Sequence, residues 1–463
     1  VDGCLTDESG SGGTVSTRIG HLRLGLIFGT LDMVTVTTGP TPRGALIGAG
    51  SREHSMAEAE VSEQIELVEE DFHDDPHKYY ERWRARGPVH KVRFTHERGI
   101  PCWVVVGHAE ARAALADPRL HKNSAGTIEL FRRKGSAVLS NSDARALSTH
   151  MLNTDPPEHT RLRKLVNKAF TPRRVAALRP RIEEITAALL DEVAAQDEVE
   201  LLSAFATPLP VTVICELLGV PFTDRDDFQL WTKILVGAAG DLADHDRASA
   251  DMGRYLTALL ADKRVRPGDD LLSGLATEQD EGDRLTDPEL VAMAFLLLVA
   301  GHETTVNLIG NGTFALLRSR TQFDALRADP DGIPAAVEEF LRLDGPVGWA
   351  TVRYTEDPVD IGGTVIPAGE LVYVALSAAD RDPERYHSPD ELDIGRKPSG
   401  HVAFGHGIHF CVGAPLARME AAVAFTALLD RFPKLALAPS FTPRWQPSLL
   451  MRGLTELPVR PHG

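Results

Sequence analysis

One cysteine in this sequence stands where its sulfur could do chemistry. Cys411 lies near the end of Phe404-Gly405-His406-Gly407-Ile408-His409-Phe410-Cys411-Val412-Gly413, a glycine-punctuated loop running into a helical pattern from Ala414 to Leu429. A reactive or metal-binding sulfur is a thiolate. Backbone N–H groups in a tight turn before a helix N-terminus point towards such a charge and stabilise it. The plain alternative is a structural cysteine beside an ordinary loop. A second stretch, Ala300-Gly301-His302-Glu303-Thr304-Thr305, ends the apolar run Leu290 to Ala300 with an acid and a hydroxyl. Polar groups buried in such a run need partners. Alternatively, Glu303 surfaces and Thr304 bonds back to the carbonyl four residues earlier, as helix threonines do.

Charged pairs at helical spacing form a third set. Glu339 and Arg342 stand at i and i+3, and His159 and Arg163 at i and i+4, so each pair shares a helix face. Most pairs of this kind are solvated and worth under about 1 kcal/mol. Arg161, Lys164 and Lys168 form a basic stripe on the same helix as His159.

These residues need elements to hold them. Asp155-Pro156-Pro157-Glu158 reads as a capped helix start, the helix running towards Phe170, and Thr286-Asp287-Pro288-Glu289 repeats that pattern before a helix reaching about Arg318. Apolar residues encircle the first half of the longer helix, which places it inside the body of the protein. A helical pattern covers Pro76 to Arg86, and Val89–Phe94 with Trp103–Val106 reads as a hairpin. The β-branched stretches Val352–Ile366 and Leu371–Val374 point to a small sheet after the helical part.

The cysteine loop resembles the haem-binding loop of cytochromes P-450, in which a Phe, two glycines, a basic residue, the cysteine and a further glycine have these spacings: here Phe404, Gly405, Gly407, His409, Cys411 and Gly413. The resemblance runs from about Glu70 to Pro461 and includes Arg381-Asp382-Pro383 and Arg452-Gly453-Leu454; it is closest to actinobacterial macrolide and polyketide hydroxylases. It implies a mainly α fold, a large helical body with a smaller β-rich part, around haem b (iron protoporphyrin IX) with Cys411 as axial ligand to the iron. By the same resemblance Gly301 lets the helix approach bound oxygen, and Glu303 and Thr304 relay protons. His159, Arg163, Arg353 and His409 would meet the haem propionates, which need cationic partners. Glu339, Arg342 and Arg396 would form a buried structural network.

The implied activity is insertion of one atom of O2 into a C–H bond of a hydrophobic small molecule. Electrons would come from a separate ferredoxin and ferredoxin reductase, the acidic ferredoxin docking on the stripe of Arg161, Lys164 and Lys168. Leu120–Met151, Trp231–Asp241, Val347–Thr351 and Leu449–Met451 would line the substrate pocket. Two rivals stand beside this reading: a haem-thiolate catalyst of oxidative coupling or peroxide chemistry, and a non-enzymatic haem sensor. The presence of both Glu303 and Thr304 weighs against each.

The composition narrows the partners. With 66 acidic against 49 basic side chains the chain has no excess of cations to neutralise nucleic-acid phosphates. Four scattered cysteines, Cys4, Cys102, Cys215 and Cys411, suggest neither a disulfide framework nor a zinc site, and fit a reducing cytoplasm. The eleven-residue apolar run is short of a bilayer span, no secretory signal is evident, and a monomer is expected. Residues 1–55, rich in Gly, Ser and Thr, read as an appendage: a flexible tail, or an upstream-extended gene model, since Val1 can arise from an alternative start codon and Met56 opens the patterned region. The catalytic domain would then span 56–463.

Overall fold

A computed structural model describes residues 65–95, 99–135, 142–235, 242–277, 283–397 and 400–463; residues 1–55 and Met56 lie outside them. Six helices carry the site: α1 (Glu158–Ala169), α2 (Pro208–Leu218), α3 (Arg225–Leu235), α4 (Asp287–Arg318), α5 (Ile333–Asp344) and α6 (Ala414–Arg431). The 32-residue α4 is the axis of the body and packs against α2, α5 and α6. Phe295, Leu298 and Ile309 on it are fully enclosed in the largest apolar cluster. By length and hydropathy α4 could cross a membrane, but 78% of its most apolar window is buried inside the protein, as in the core helix of a soluble fold. An apolar helix has two ways of avoiding water, and this one uses the protein around it.

The two expected helix starts differ. At α4 the Glu289 carboxylate accepts from the Thr286 backbone N–H at 2.8 Å, closing the reciprocal cap. At α1 no side chain caps the helix: Pro157 precedes it, and Asp155 offers its backbone carbonyl to the His159 N–H. The Asp155 carboxylate instead accepts from the backbone N–H groups of Lys122 and Asn123. The acid read as a cap therefore holds a distant strand end against α1.

The β-rich part is a six-stranded sheet in the order Glu66–Val68, Val89–Phe94, Cys102–Val105, Leu371–Val374, Arg353–Thr355, Leu120–His121. Val89–Phe94 and Cys102–Val105 pair antiparallel with Val89 opposite Val105, as the hairpin reading expects. Arg353 pairs with Val372, and Leu120 with Thr355, which brings the residues after His121 beside Arg353. An aromatic cluster of Phe72, Tyr80, Trp83 and Trp349 fills the space behind this sheet. Fold class and element order agree with the reading of the sequence.

Candidate active site

One large, mostly apolar cavity lies between α4 and the loop that ends in Cys411. The 404–413 loop forms its floor, and Ala300, Gly301, Glu303, Thr304 and Thr305 of α4 form its roof. The floor folds through two left-handed glycines, Gly405 (φ +72°) and Gly407 (φ +74°), a conformation that side-chain-bearing residues rarely adopt. This turn lets the Cys411 N–H donate to the Phe404 carbonyl at 2.9 Å, while Arg163 of α1 donates to the Phe410 carbonyl at 2.7 Å and ties the loop from outside. The Arg418 guanidinium covers the Phe404 ring, 4.4 Å from its centroid.

Cys411 is exposed to the cavity rather than to the outer surface, so the surrounding protein still desolvates it. Burial pushes the thiol up from its ordinary value; the Gly413 and Ala414 N–H groups, Arg163 and Arg418 act in the opposite sense and favour the thiolate. Gly413 opens α6, so these N–H groups are the unpaired donors of a helix start. A Cβ on Gly413 would stand 3.7 Å from the sulfur, an ordinary contact.

A group of basic side chains closes one side of the cavity. His159, Arg163, Arg353 and His409, the four expected from the sequence, all line it, and the His159 and His409 ring centroids are 4.3 Å apart. Lys122 joins them and was not foreseen: it is 4% exposed, and its Nζ donates to Thr351 Oγ1. Among the described residues the group lacks a matching set of anions. Burial pushes Arg353 down to about 10, and burial together with Lys122, His159, Arg353 and Arg163 holds His409 far below its ordinary range. Burial and Arg353 likewise hold Lys122 well below its usual value. The acid acting on Lys122, His159 and Arg353 is Asp155, already engaged by backbone N–H groups, and the buried Nε2 of His159 has no hydrogen-bond partner. Cations crowded in this way are stable only beside a further negative charge. A flat group with two carboxylates at one edge and a metal over Cys411 fits this chemistry.

On the roof, Thr304 donates its hydroxyl to the Ala300 carbonyl at 2.9 Å, the back-bond typical of helix threonines. Glu303 faces His302, with Oε1 3.4 Å from Nε2; burial opposes its charge, but His302 and Lys233 hold it below the ordinary carboxylate value. The acid and the alcohol therefore line the same cavity through separate contacts. Gly301 also lines it, and a Cβ there would meet Ile214 Cδ1 at 2.8 Å, so this glycine is needed for the approach of α2 as well.

The structural network is present. Glu339 accepts from Arg342 Nε at 2.7 Å and Nη2 at 2.9 Å, and Arg396 Nε joins at 3.2 Å, all in the interior. Arg342 donates further to the carbonyls of Asp380, Pro389 and Glu391, so the pair holds the chain leading into the cysteine loop. The basic stripe is not continuous. Arg161 is bound to Glu158, Asp283 and Glu289, while Lys164 and Lys168 are exposed. Of the expected pocket segments, Lys122, Met151, Val347, Ala350, Thr351, Leu450 and Met451 line the cavity, and none of the described residues 231–235 does; 136–141 and 236–241 lie outside the described residues.

A cavity floored by one cysteine and edged by basic side chains, beneath a buried helix bearing an acid and an alcohol, is what a haem-thiolate enzyme would need to hold its cofactor. The family model described as Cytochrome P450 matches residues 258–444. Cytochrome P450 107B1 of Saccharopolyspora erythraea is 51% identical over 412 residues, covering 88% of this chain and 100% of that protein. The 6-deoxyerythronolide B hydroxylase of the same organism is 43% identical over 403 residues, covering 86% and 99%. The tirandamycin C-bound structure of the P450 monooxygenase TamI superposes with a TM-score of 0.79 at 50% identity, covering 85% of this chain and 99% of that one. The chain belongs to the cytochrome P450 family. It is a haem b monooxygenase that acts on a small molecule with O2 and electrons from redox partners.

Proposed function

We propose that Cys411 is the axial ligand of the haem iron, that Lys122, His159, Arg163, Arg353 and His409 hold the propionates, and that Glu303 and Thr304 manage protons above the iron. Phe404, Gly405 and Gly413 shape the sulfur's turn, and Gly301 keeps the roof close. The observation that carries this reading is the cavity with one sulfur on its floor and a crowd of basic side chains at its side whose charged forms are disfavoured by burial and by one another. When bound, the haem supplies oxygen activation, for which thiolate ligation pushes electron density towards O–O cleavage. The Gly413 and Ala414 N–H groups and Arg163 favour the charged form of the sulfur against the effect of burial. Thr304 can turn its hydroxyl from the Ala300 carbonyl towards the cavity, and Glu303 holds a carboxylate at the same wall.

The substrate we infer is a polyketide, macrolactone-like or similarly large, oxygenated and mainly apolar. Support comes from the lining by Leu152, Leu297, Val299, Val347, Leu450 and Met451, and from relatives that bind tirandamycin C or hydroxylate 6-deoxyerythronolide B. A separate ferredoxin and its reductase deliver the electrons, approaching the face that carries Lys164 and Lys168 beside the Arg163 to Phe410 bond; the enzyme works as a monomer in the cytoplasm, and its catalytic domain is 56–463. Optical titration with tirandamycin C and 6-deoxyerythronolide B tests the substrate class: a saturable spin-state shift with either supports it, and its absence with both, alongside a shift with a fatty acid or a steroid, overturns it. Hydroxylation with a reconstituted ferredoxin and reductase is the matching activity test.

A further inference from the structure

We infer that His302 is a positioning residue for Glu303, holding a proton in the gap between its Nε2 and the Glu303 carboxylate. The inference rests on the proposed role of Glu303 and extends it by one residue. His302 is 1% exposed on α4, one position before the acid. Its Nδ1 lies 2.9 Å from the Leu298 carbonyl oxygen. A carbonyl only accepts, so Nδ1 must carry hydrogen and donate. The other ring nitrogen then decides the charge. Nε2 faces Glu303 Oε1 at 3.4 Å and, although buried, makes no hydrogen bond among the described residues.

Were Nε2 bare, its lone pair would oppose a carboxylate in a site that water barely reaches, leaving two acceptors face to face and one buried nitrogen unsatisfied. A proton between them removes both penalties. The Phe228 ring of α3 packs edge-on against the imidazole, centroids 6.1 Å apart, and Lys233 of α3 is the further charged group acting on Glu303. Glu303 thus stands between a buried proton donor and a surface cation while it lines the cavity. The proton can pass from Nε2 to Oε1, leaving neutral imidazole and a carboxylic acid. Delivery into the cavity leaves Glu303 ionised, and uptake from solvent restores the pair with no other reactant. Leu298 fixes the ring, so the proton remains aimed at one oxygen.

The test reads the proton directly, in haem-loaded enzyme labelled with 15N-histidine, with the His302 signal assigned by its loss in His302→Gln. At pH 7 both ring nitrogens of His302 should have shifts of protonated nitrogen, and in Glu303→Gln the Nε2 shift should move to that of bare imidazole nitrogen. A bare Nε2 in the wild type overturns the inference, as does an Nε2 shift that ignores Glu303→Gln. The second readout is the division of consumed O2 between peroxide and water in reductant-driven turnover without added substrate. His302→Gln should raise the peroxide share several-fold while haem content and the carbon monoxide spectrum stay unchanged; an unchanged share overturns the inference. If His302→Gln alone leaves the share unchanged while Glu303→Gln raises it, the fault lies with His302. If neither variant changes it, the role of Glu303 has failed as well.

Discussion

Thr304 is back-bonded to Ala300 in this structure, so the proposed proton-handling role requires its hydroxyl to turn towards the cavity. Thr304→Ala should therefore leave haem binding intact and lower product formed per reductant consumed on the order of tenfold, within the range of a lost proton-handling group; tight coupling in that variant would remove Thr304 from the mechanism. Lys122 offers a second test, since it is buried against Thr351 and crowded by Arg353. Lys122→Met should speed haem loss to an acceptor globin by about tenfold, the size expected for one buried charge-assisted contact, with little change in thermal stability of the freshly loaded enzyme. At this scale the sequence was legible where chemistry demands several residue types close together, as around Cys411. Lys122 was not legible because a single lysine after a two-residue strand has no local signature. What brings it to the cavity is the pairing of Leu120 with Thr355, which no local pattern specifies.

Helix α5 and the segments after it act as a bracket for the cysteine loop. Arg342 spends its donors on Glu339 and on three carbonyls, and Asp380 accepts the Val402 N–H at 2.7 Å just before the loop begins. Removing one partner of such a buried pair leaves an uncompensated charge, at a cost of about 3–5 kcal/mol. Glu339→Gln should accordingly lower thermal stability sharply and reduce the haem-to-protein ratio of the purified enzyme; a stable, fully loaded variant would show that the bracket is dispensable. Elements with strong periodicity or β-branched runs could be read directly, α4 and the Val89–Phe94 hairpin among them. The start of α1 could not: Asp155 fits a cap by type and position, but Lys122 and Asn123 compete for its carboxylate from another part of the chain. The ion pairing of Arg161 within the basic stripe was hidden for the same reason, because Asp283 and Glu289 reach it only in the folded protein.

At the scale of the whole molecule, a buried charge cluster lies where α5 ends at Asp344. There His77 and Asp344 stand 3.7 Å apart, with Arg381 3.1 Å from Asp344. Burial, helped by Arg381, lowers His77 to about 4. The unfolded chain binds this proton near pH 6.5 and the folded one only near pH 4, so the contribution is complete above 6.5 and falls as pH drops through that window, on the order of 3 kcal/mol in all. Denaturant midpoints at pH 7 and pH 5 should differ less in His77→Gln than in the wild type; equal differences would place the acid sensitivity elsewhere.

The central claim is that the Cys411 sulfur binds the haem iron, and the most direct measurement is the absorption spectrum of the dithionite-reduced enzyme with and without carbon monoxide, in wild type and Cys411→Ser. A far red-shifted Soret band that disappears in the variant is the predicted result. A band at the position of histidine-ligated haem in the wild type, or a red-shifted band that survives in Cys411→Ser, would contradict it.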